Sequence, residues 1–194
     1  VTGVQTCALP IWFRDAEFWC RRALALDPLD AVARAGTISA CAADERTEPA
    51  LVAARQALAL LPAVAALHLE YARTLQRRDR IGAAERAMRR AIALAPEEPH
   101  AWNALAQLDK DRGRLDSAIS GFRAAIARAP DNAAFVSNLL FALCFSETIP
   151  PAEVFAAHRD YERRFGTPLA HGRPAHANTK DPERRLDRKS TRLN

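Results

Sequence analysis

Histidine side chains are the first candidates for acid–base or metal chemistry in this chain of 194 residues. The five histidines are His68, His100, His158, His171 and His176. His68 and His100 have no partner at the spacing of metal ligands, whereas His171 and His176 share a polar, proline-containing stretch. That spacing alone is weak evidence for a metal site. We therefore predict no metal site, and we interpret His68 as a packed ring and His100 as a solvated side chain.

Motifs for enzymatic catalysis are absent from the sequence. It contains no glycine-rich phosphate loop, no GxSxG elbow and no HExxH helix. The carboxylates Glu97 and Glu98, and the pair Asp109 and Asp111, fall at predicted turns and helix faces where solvation is the usual state. The sequence therefore predicts no catalytic residue and no cofactor, and this chain by itself is not expected to be an enzyme.

Cysteine spacing indicates a reducing compartment. Cys20, Cys41 and Cys144 form no CxxC pair, which argues against a zinc site or a redox motif. We interpret them as small buried helix residues of a cytoplasmic protein. No apolar run approaches the roughly 18 residues of a membrane-spanning helix, so no membrane association is expected.

Hydrogen-bonding side chains at helical spacing are better candidates for function than any of these groups. Four of them, Arg73, Asn103, Gln107 and Lys110, could bind a peptide backbone or a carboxylate. An ordinary solvated helix face explains the same residues equally well. The full candidate peptide-binding set is Arg73, Gln76, His100, Asn103, Gln107, Lys110, Ser137 and Phe141.

Four prolines define the elements that position these side chains. Pro28, Pro62, Pro96 and Pro130 stand 34 residues apart, and each ends an alanine-rich run. Proline lacks the N–H that continues the helical hydrogen-bond ladder, so each proline at the end of such a run is predicted to close a helix. A period of 34 with this pattern is the signature of the tetratricopeptide repeat (TPR). The predicted fold is an all-α, right-handed α-solenoid of helix-turn-helix repeats, a class that binds other chains rather than performing chemistry.

The repeat register places each proline at position 32. Small residues at positions 20 and 27 let the two helices of a repeat approach closely, and large apolar residues at positions 4, 7 and 24 fill the remaining space. Trp102 takes position 4 in the third repeat, whereas His68 and Arg34 stand there in the second and first. Positions 2, 5, 9 and 12 of each first helix are predicted to line the concave groove.

The predicted segments are 12–30, the second helix of a truncated repeat; 31–64, 65–98 and 99–132, three repeats; 133–165, a repeat-like terminal helix pair; and 166–186, a linker.

The two termini share nothing with the repeats. Residues 4–11 can be encoded by a DNA string whose reverse complement encodes residues 187–194. This complementarity predicts that residues 1–11 and 187–194 are translated sequencing adapter, with 1–11 disordered.

The net charge of +5 includes +2 from residues 187–194, which leaves +3 for residues 12–186 and gives no argument for nucleic-acid binding. Exposed aromatic residues on the uncapped first helix predict self-association.

The C-terminal third resembles the junction between the repeats and the catalytic region in bacterial SPINDLY-like O-linked N-acetylglucosamine transferases. The residues that carry this resemblance are Ser137–Phe141, Val154, Phe155, His158, Arg159, Phe165, His176, Asn178, Asp181, Pro182, Arg184, Arg185 and Leu186. Two departures concern the subgroup: residues 144–148 lack the usual Asp-Pro, and Tyr161 stands where tryptophan is common.

The resemblance implies a larger protein whose repeats select substrates for a glycosyltransferase. Such an enzyme would transfer N-acetylglucosamine from a UDP donor to Ser or Thr of proteins, and its catalytic domain would follow Leu186. No catalytic residue of that family falls within this sequence. The alternative is a stand-alone TPR scaffold or chaperone cofactor without an enzymatic domain. The predominance of arginine over lysine and the abundance of alanine indicate GC-rich, bacterial coding DNA.

Overall fold

The computed structural model describes residues 2–170, and the side chains from residue 12 to residue 169. It contains α-helices and one short π-helical segment, and no strand within the described range. The α-helices are α1 Thr2–Leu26, α2 Ala31–Ala43, α3 Thr47–Leu60, α4 Ala65–Gln76, α5 Ile81–Leu94, α6 Pro99–Asp111, α7 Leu115–Arg128, α8 Ala133–Leu143, α9 Pro151–Tyr161 and α10 Thr167–Ala170, with the π-helical segment at Glu162–Gly166. Consecutive helices pack in pairs, which confirms the predicted all-α solenoid.

Side-chain caps mark where several first helices begin. The Asp30 carboxylate accepts hydrogen bonds from the backbone N–H groups of Val32 and Ala33, at 2.8 and 3.0 Å. The Asn132 side chain does the same for Ala134 and Phe135. Each cap satisfies N–H groups that have no partner inside the helix, a contribution of about 1 kcal/mol.

The turn between the two helices of a repeat uses a left-handed backbone at position 15. Gly113 has φ 73° there, and Glu45 and Asp79 take the same conformation with φ 58° and 56°. Glycine adopts this region without a steric penalty, whereas a residue with a Cβ does so at a cost. The two non-glycine turns show that the repeat geometry overrides local preference.

Small residues bring the two helices of each repeat together. The alanines at positions 20 and 27 are at most 1% exposed, and they are Ala50, Ala57, Ala84, Ala91, Ala118 and Ala125. Gly121 extends this contact, because a Cβ added there would lie 2.8 Å from the Cβ of Ala106. Large side chains such as Ile38, Leu67 and Phe122 fill the core around these contacts and are fully buried.

The interface between successive repeats alternates between apolar and charged. Four residues spaced 34 apart occupy the same buried position, namely Glu17, Leu51, Glu85 and Ile119. Leu51 packs with Leu75, and Ile119 lies in one cluster with Leu143. At the other two interfaces the buried glutamates pair with arginines of the following repeat.

The first helix is longer than the sequence predicted. α1 begins at Thr2, whereas residues 1–11 were predicted to be disordered. The disorder of residues 1–11 and their origin in adapter DNA both stay predictions.

The outer surface of α1 carries several exposed aromatic rings, as the sequence suggested. Trp12, Phe18 and Trp19 are 72%, 57% and 62% exposed. The opposite side of α1 packs on α2, where Cys20 lies against Gly36. One side of α1 is thus covered by the next repeat and the other carries uncovered apolar surface.

The last helices continue the packing of the repeats. Val154, Tyr161 and Phe165 pack against the cluster of Phe122 and Leu140. His171, His176 and the resemblance residues from His176 to Leu186 lie outside the described residues. No helix between residues 2 and 170 is both long and apolar enough to cross a bilayer.

Candidate functional site

One face of the solenoid, formed by α4, α6 and α8, brings most of the predicted peptide-binding residues together. We call it the α4–α6–α8 face. It carries Arg73, His100, Asn103, Lys110, Asn138 and Phe141. Three local arrangements follow one another along it: a pocket, a pair of carboxamides and an aromatic cluster.

The pocket lies between α4 and α6 and has a volume of about 370 Å³. Ala66 and Leu69 form its apolar wall, while Arg73 and His100 supply polar groups. Leu69 is buried, although the register placed it among the groove-lining positions. Arg73 donates to Glu70 at 2.6 Å, and its side chain keeps 45% of its surface exposed. The pocket can hold an apolar side chain with an anionic or hydrogen-bonding group beside it.

The ring of His100 is fixed by its neighbours. It packs edge-to-face on Phe135 of α8, with ring centroids 5.2 Å apart. Its backbone N–H donates to the Glu98 carboxylate, which caps α6, at 3.1 Å. The predicted solvated side chain is thus exposed but stacked, and it lies at the boundary between the pocket and α8.

Two asparagines bridge α6 and α8. The Nδ2 of Asn138 donates to the Oδ1 of Asn103 at 3.0 Å. This orientation leaves the Nδ2 hydrogens of Asn103 and the Oδ1 of Asn138 for a ligand. A donor and an acceptor side by side match the N–H and C=O groups of an extended peptide.

An aromatic cluster lies beyond the asparagines. The Nζ of Lys110 is 4.9 Å from the ring centroid of Phe141, which in turn packs on Phe145 at 4.9 Å. Both rings are more than half exposed, whereas the Lys110 side chain keeps only 19% of its surface exposed. Its ammonium also lies 3.1 Å from the Asp111 carboxylate. Lys110 is therefore a positioned cation and not a free one.

The remaining predicted residues are less informative. Gln76 and Gln107 are half-buried, and Ser137 is exposed. Sequence reasoning missed Asn138 and Phe145. Asn138 takes position 6, directly after the chosen position 5, and a helix face about 100° wide includes both. Widening the set of positions would have found it.

Two interpretations from the sequence are wrong. Asp109 is buried, although it was expected to be solvated, because Arg114, which directly precedes α7, donates to it at 3.0 Å. Cys144 is exposed, although it was expected to be buried, because it caps the C-terminus of α8 at the surface. Cys41 is buried as predicted, and Cys20 is half-buried.

The buried glutamates have pKa values set by opposing effects. Burial raises the pKa of Glu85, but a hydrogen bond from Arg114 and the charges of Arg89 and Arg112 outweigh it, so the pKa lies below the usual range. Burial also raises the pKa of Glu17, but the hydrogen bonds from Arg46 and Cys41, together with the charges of Arg21 and Arg46, outweigh it and lower the pKa. Both carboxylates are therefore ionised structural groups.

The ring of His68 makes a structural contact. A ring nitrogen of His68, Nε2, lies 2.8 Å from the carbonyl oxygen of Pro62. Within residues 2–170, no group of three or more His, Cys, Asp or Glu side chains is arranged to hold a metal ion.

Comparisons with known proteins bear on the fold. Residues 65–108 match the family model of the tetratricopeptide repeat. No curated protein matches the chain. Among solved structures, MamA is 17% identical, with a TM-score of 0.67 over 81% of this chain and 91% of that protein. YrrB, described as a TPR protein with an unusual peptide-binding site, is 21% identical, with a TM-score of 0.58 over 82% of each chain.

A third similar structure is a mutant of the O-GlcNAc transferase of Thermobaculum terrenum. It is 21% identical, with a TM-score of 0.60, and the match covers 84% of this chain and 27% of that protein. These likenesses show the fold. The chain has the fold of an α-solenoid of tetratricopeptide repeats, and residues 65–108 carry the sequence pattern of that repeat.

Proposed function

We propose that the α4–α6–α8 face binds an extended peptide segment of a protein partner. The Asn103–Asn138 pair carries this proposal, because it presents a donor and an acceptor to a peptide backbone. On one side of the pair, Arg73 and His100 edge an apolar pocket, and on the other side lie Phe141 and Phe145. A segment with apolar side chains on both sides of one exposed peptide unit fits this order, with an acidic residue favoured beside Arg73.

Peptide binding by a protein of this fold has support among the similar structures, since YrrB is described as having a peptide-binding site. The proposed site also needs no cofactor or metal. Free Cys20 and Cys41 suit the reducing cytoplasm, where we place the protein.

The test begins with an array of immobilised peptides of varied sequence, from which the best binder is labelled for fluorescence anisotropy. The double variant Asn103→Ala, Lys110→Ala should weaken binding at least about fivefold, or about 1 kcal/mol, without loss of helicity. Arg90→Ala is the matched control, because Arg90 is exposed on α5, outside the face. Unchanged affinity of the double variant would remove these residues from the site.

We also propose that the array is the substrate-recognition part of a protein O-GlcNAc transferase-like glycosyltransferase. The residues of the C-terminal resemblance support this, together with the similarity to the transferase of Thermobaculum terrenum. A stand-alone scaffold or chaperone cofactor is the competing assignment, and the peptide-binding face serves either one.

DNA sequence beyond the codon of Leu186 separates these two assignments. A continuation rich in strands with a nucleotide-sugar domain supports the transferase, whereas a stop codon or further repeats refutes it. Calorimetry adds a direct check, because the present chain should not bind a UDP-sugar.

A further inference from the structure

Cys144 and His158 face each other across a surface pocket between α8 and α9. The pocket walls are apolar and include Leu143, Ile149 and Val154. The Sγ of Cys144 lies 4.0 Å from the Nε2 of His158, at the long end of hydrogen bonds that involve sulfur. Both residues are exposed, so a small reagent can reach the thiol from solvent.

The tautomer of the neutral His158 ring follows from its other contact. Its Nδ1 lies 2.9 Å from the carbonyl oxygen of Val154, one turn earlier on α9. A carbonyl oxygen can only accept, so Nδ1 carries the proton of the neutral ring and Nε2 keeps its lone pair. That lone pair is directed toward the Cys144 thiol, which is the arrangement of a nucleophile beside a base.

The other described cysteines lack these features. Burial raises the pKa of both the Cys20 and the Cys41 thiol. Cys41 is 2% exposed, and Cys20 packs against the backbone of Gly36. Neither is accessible to a reagent in the way that Cys144 is.

We propose that Cys144 is a site of covalent modification by small disulfides, with His158 as its base. The Nε2 of His158 takes the Sγ proton, and the thiolate attacks one sulfur of the disulfide. A new S–S bond forms to Cys144 as the original S–S bond breaks. The leaving thiolate takes the proton back from His158, so one free thiol is released for each residue modified.

The experiment treats the folded chain with oxidised glutathione and follows each cysteine by peptide mass spectrometry. Cys144 should form the mixed disulfide faster than Cys20 and Cys41. His158→Gln, which keeps a polar side chain but no base, should slow Cys144 about tenfold and leave the other two rates unchanged. His68→Gln is the matched control, because His68 lies on α4, away from this pocket, and is not part of the α4–α6–α8 face.

Circular dichroism of each variant checks that the fold is retained. In the chain without substitutions, the order of the modification rates of the three cysteines tests the proposal even if a variant fails to fold. The proposal is overturned if Cys144 is not the fastest of the three, or if folded His158→Gln reacts at the original rate.

Discussion

The indole Nε1–H of Trp102 donates a hydrogen bond of 2.8 Å to the carbonyl oxygen of Pro96, the proline that closes the preceding repeat. His68 makes the equivalent contact with Pro62 at 2.8 Å, and the Nε of Arg34 donates to Pro28 at 2.8 Å. Tryptophan, histidine and arginine share an N–H donor at the end of a bulky side chain. His68 and Arg34 thus make the same hydrogen bond from position 4 that Trp102 makes, and they replace the aromatic residue in that role.

The His68 contact predicts a specific pattern of substitution. His68→Phe keeps a ring but removes the donor to the Pro62 carbonyl, so the free energy of unfolding should fall by about 1 kcal/mol. His68→Trp restores the donor and should recover most of that loss. Urea unfolding followed by circular dichroism measures both. Equal stability of the Phe and Trp variants would show that only ring packing matters at this position.

The buried carboxylate of Glu85 predicts a dependence of stability on pH. Because its pKa is lowered on folding, its ionised form stabilises the protein above the usual glutamate range, and this contribution is lost as pH falls through the folded pKa. Glu85→Gln should therefore lower the free energy of unfolding by about 1–3 kcal/mol at pH about 7, and by much less in acid.

Glu48→Gln is the control for Glu85. Glu48 pairs with Arg78 at 2.6 Å, but both side chains are about half exposed. Exposed pairs contribute roughly 0–1 kcal/mol, so this variant should change little at either pH. Urea titrations at the two pH values would contradict the prediction if the two variants behave alike.

Gly121 predicts a steric limit on the spacing of α6 and α7. An added Cβ would lie 2.8 Å from the Ala106 Cβ and 3.4 Å from its Cα, so the helices must separate. Gly121→Ala should cost about 1–3 kcal/mol, although alanine is the better helix former. Gly82→Ala on α5 is the matched control, because its Cβ would meet only the end of the Arg86 side chain at 3.8 Å. Thermal unfolding should show a midpoint below that of the parent for Gly121→Ala and above it for Gly82→Ala.

The exposed aromatic rings of α1 predict self-association of the chain. Trp12 and Trp19 together offer apolar surface next to an established repeat interface, and a second copy could cover it. Sedimentation velocity should show association that grows with concentration, and Trp12→Ser, Trp19→Ser should reduce it. Val52→Ser, which removes a half-exposed apolar residue of α3, should not. A monodisperse monomer at high concentration would contradict the prediction.

Local sequence determined the fold of this protein. Proline spacing, small residues at positions 20 and 27 and capping side chains act within one repeat or between neighbouring ones, so the periodic pattern was enough to predict the solenoid. The candidate face was predicted in part for the same reason, since Asn103, Lys110 and Phe141 follow the helical register.

Tertiary structure decided which side chains meet across helices. Asn138 pairs with Asn103 over 35 residues of sequence, and Arg112 pairs with Glu85 over 27. Cys144 meets His158 only because α9 folds back on α8. No periodic pattern encodes these contacts, because each depends on how two separate helices place individual atoms. The burial of these side chains and the charges around them therefore follow from the tertiary structure.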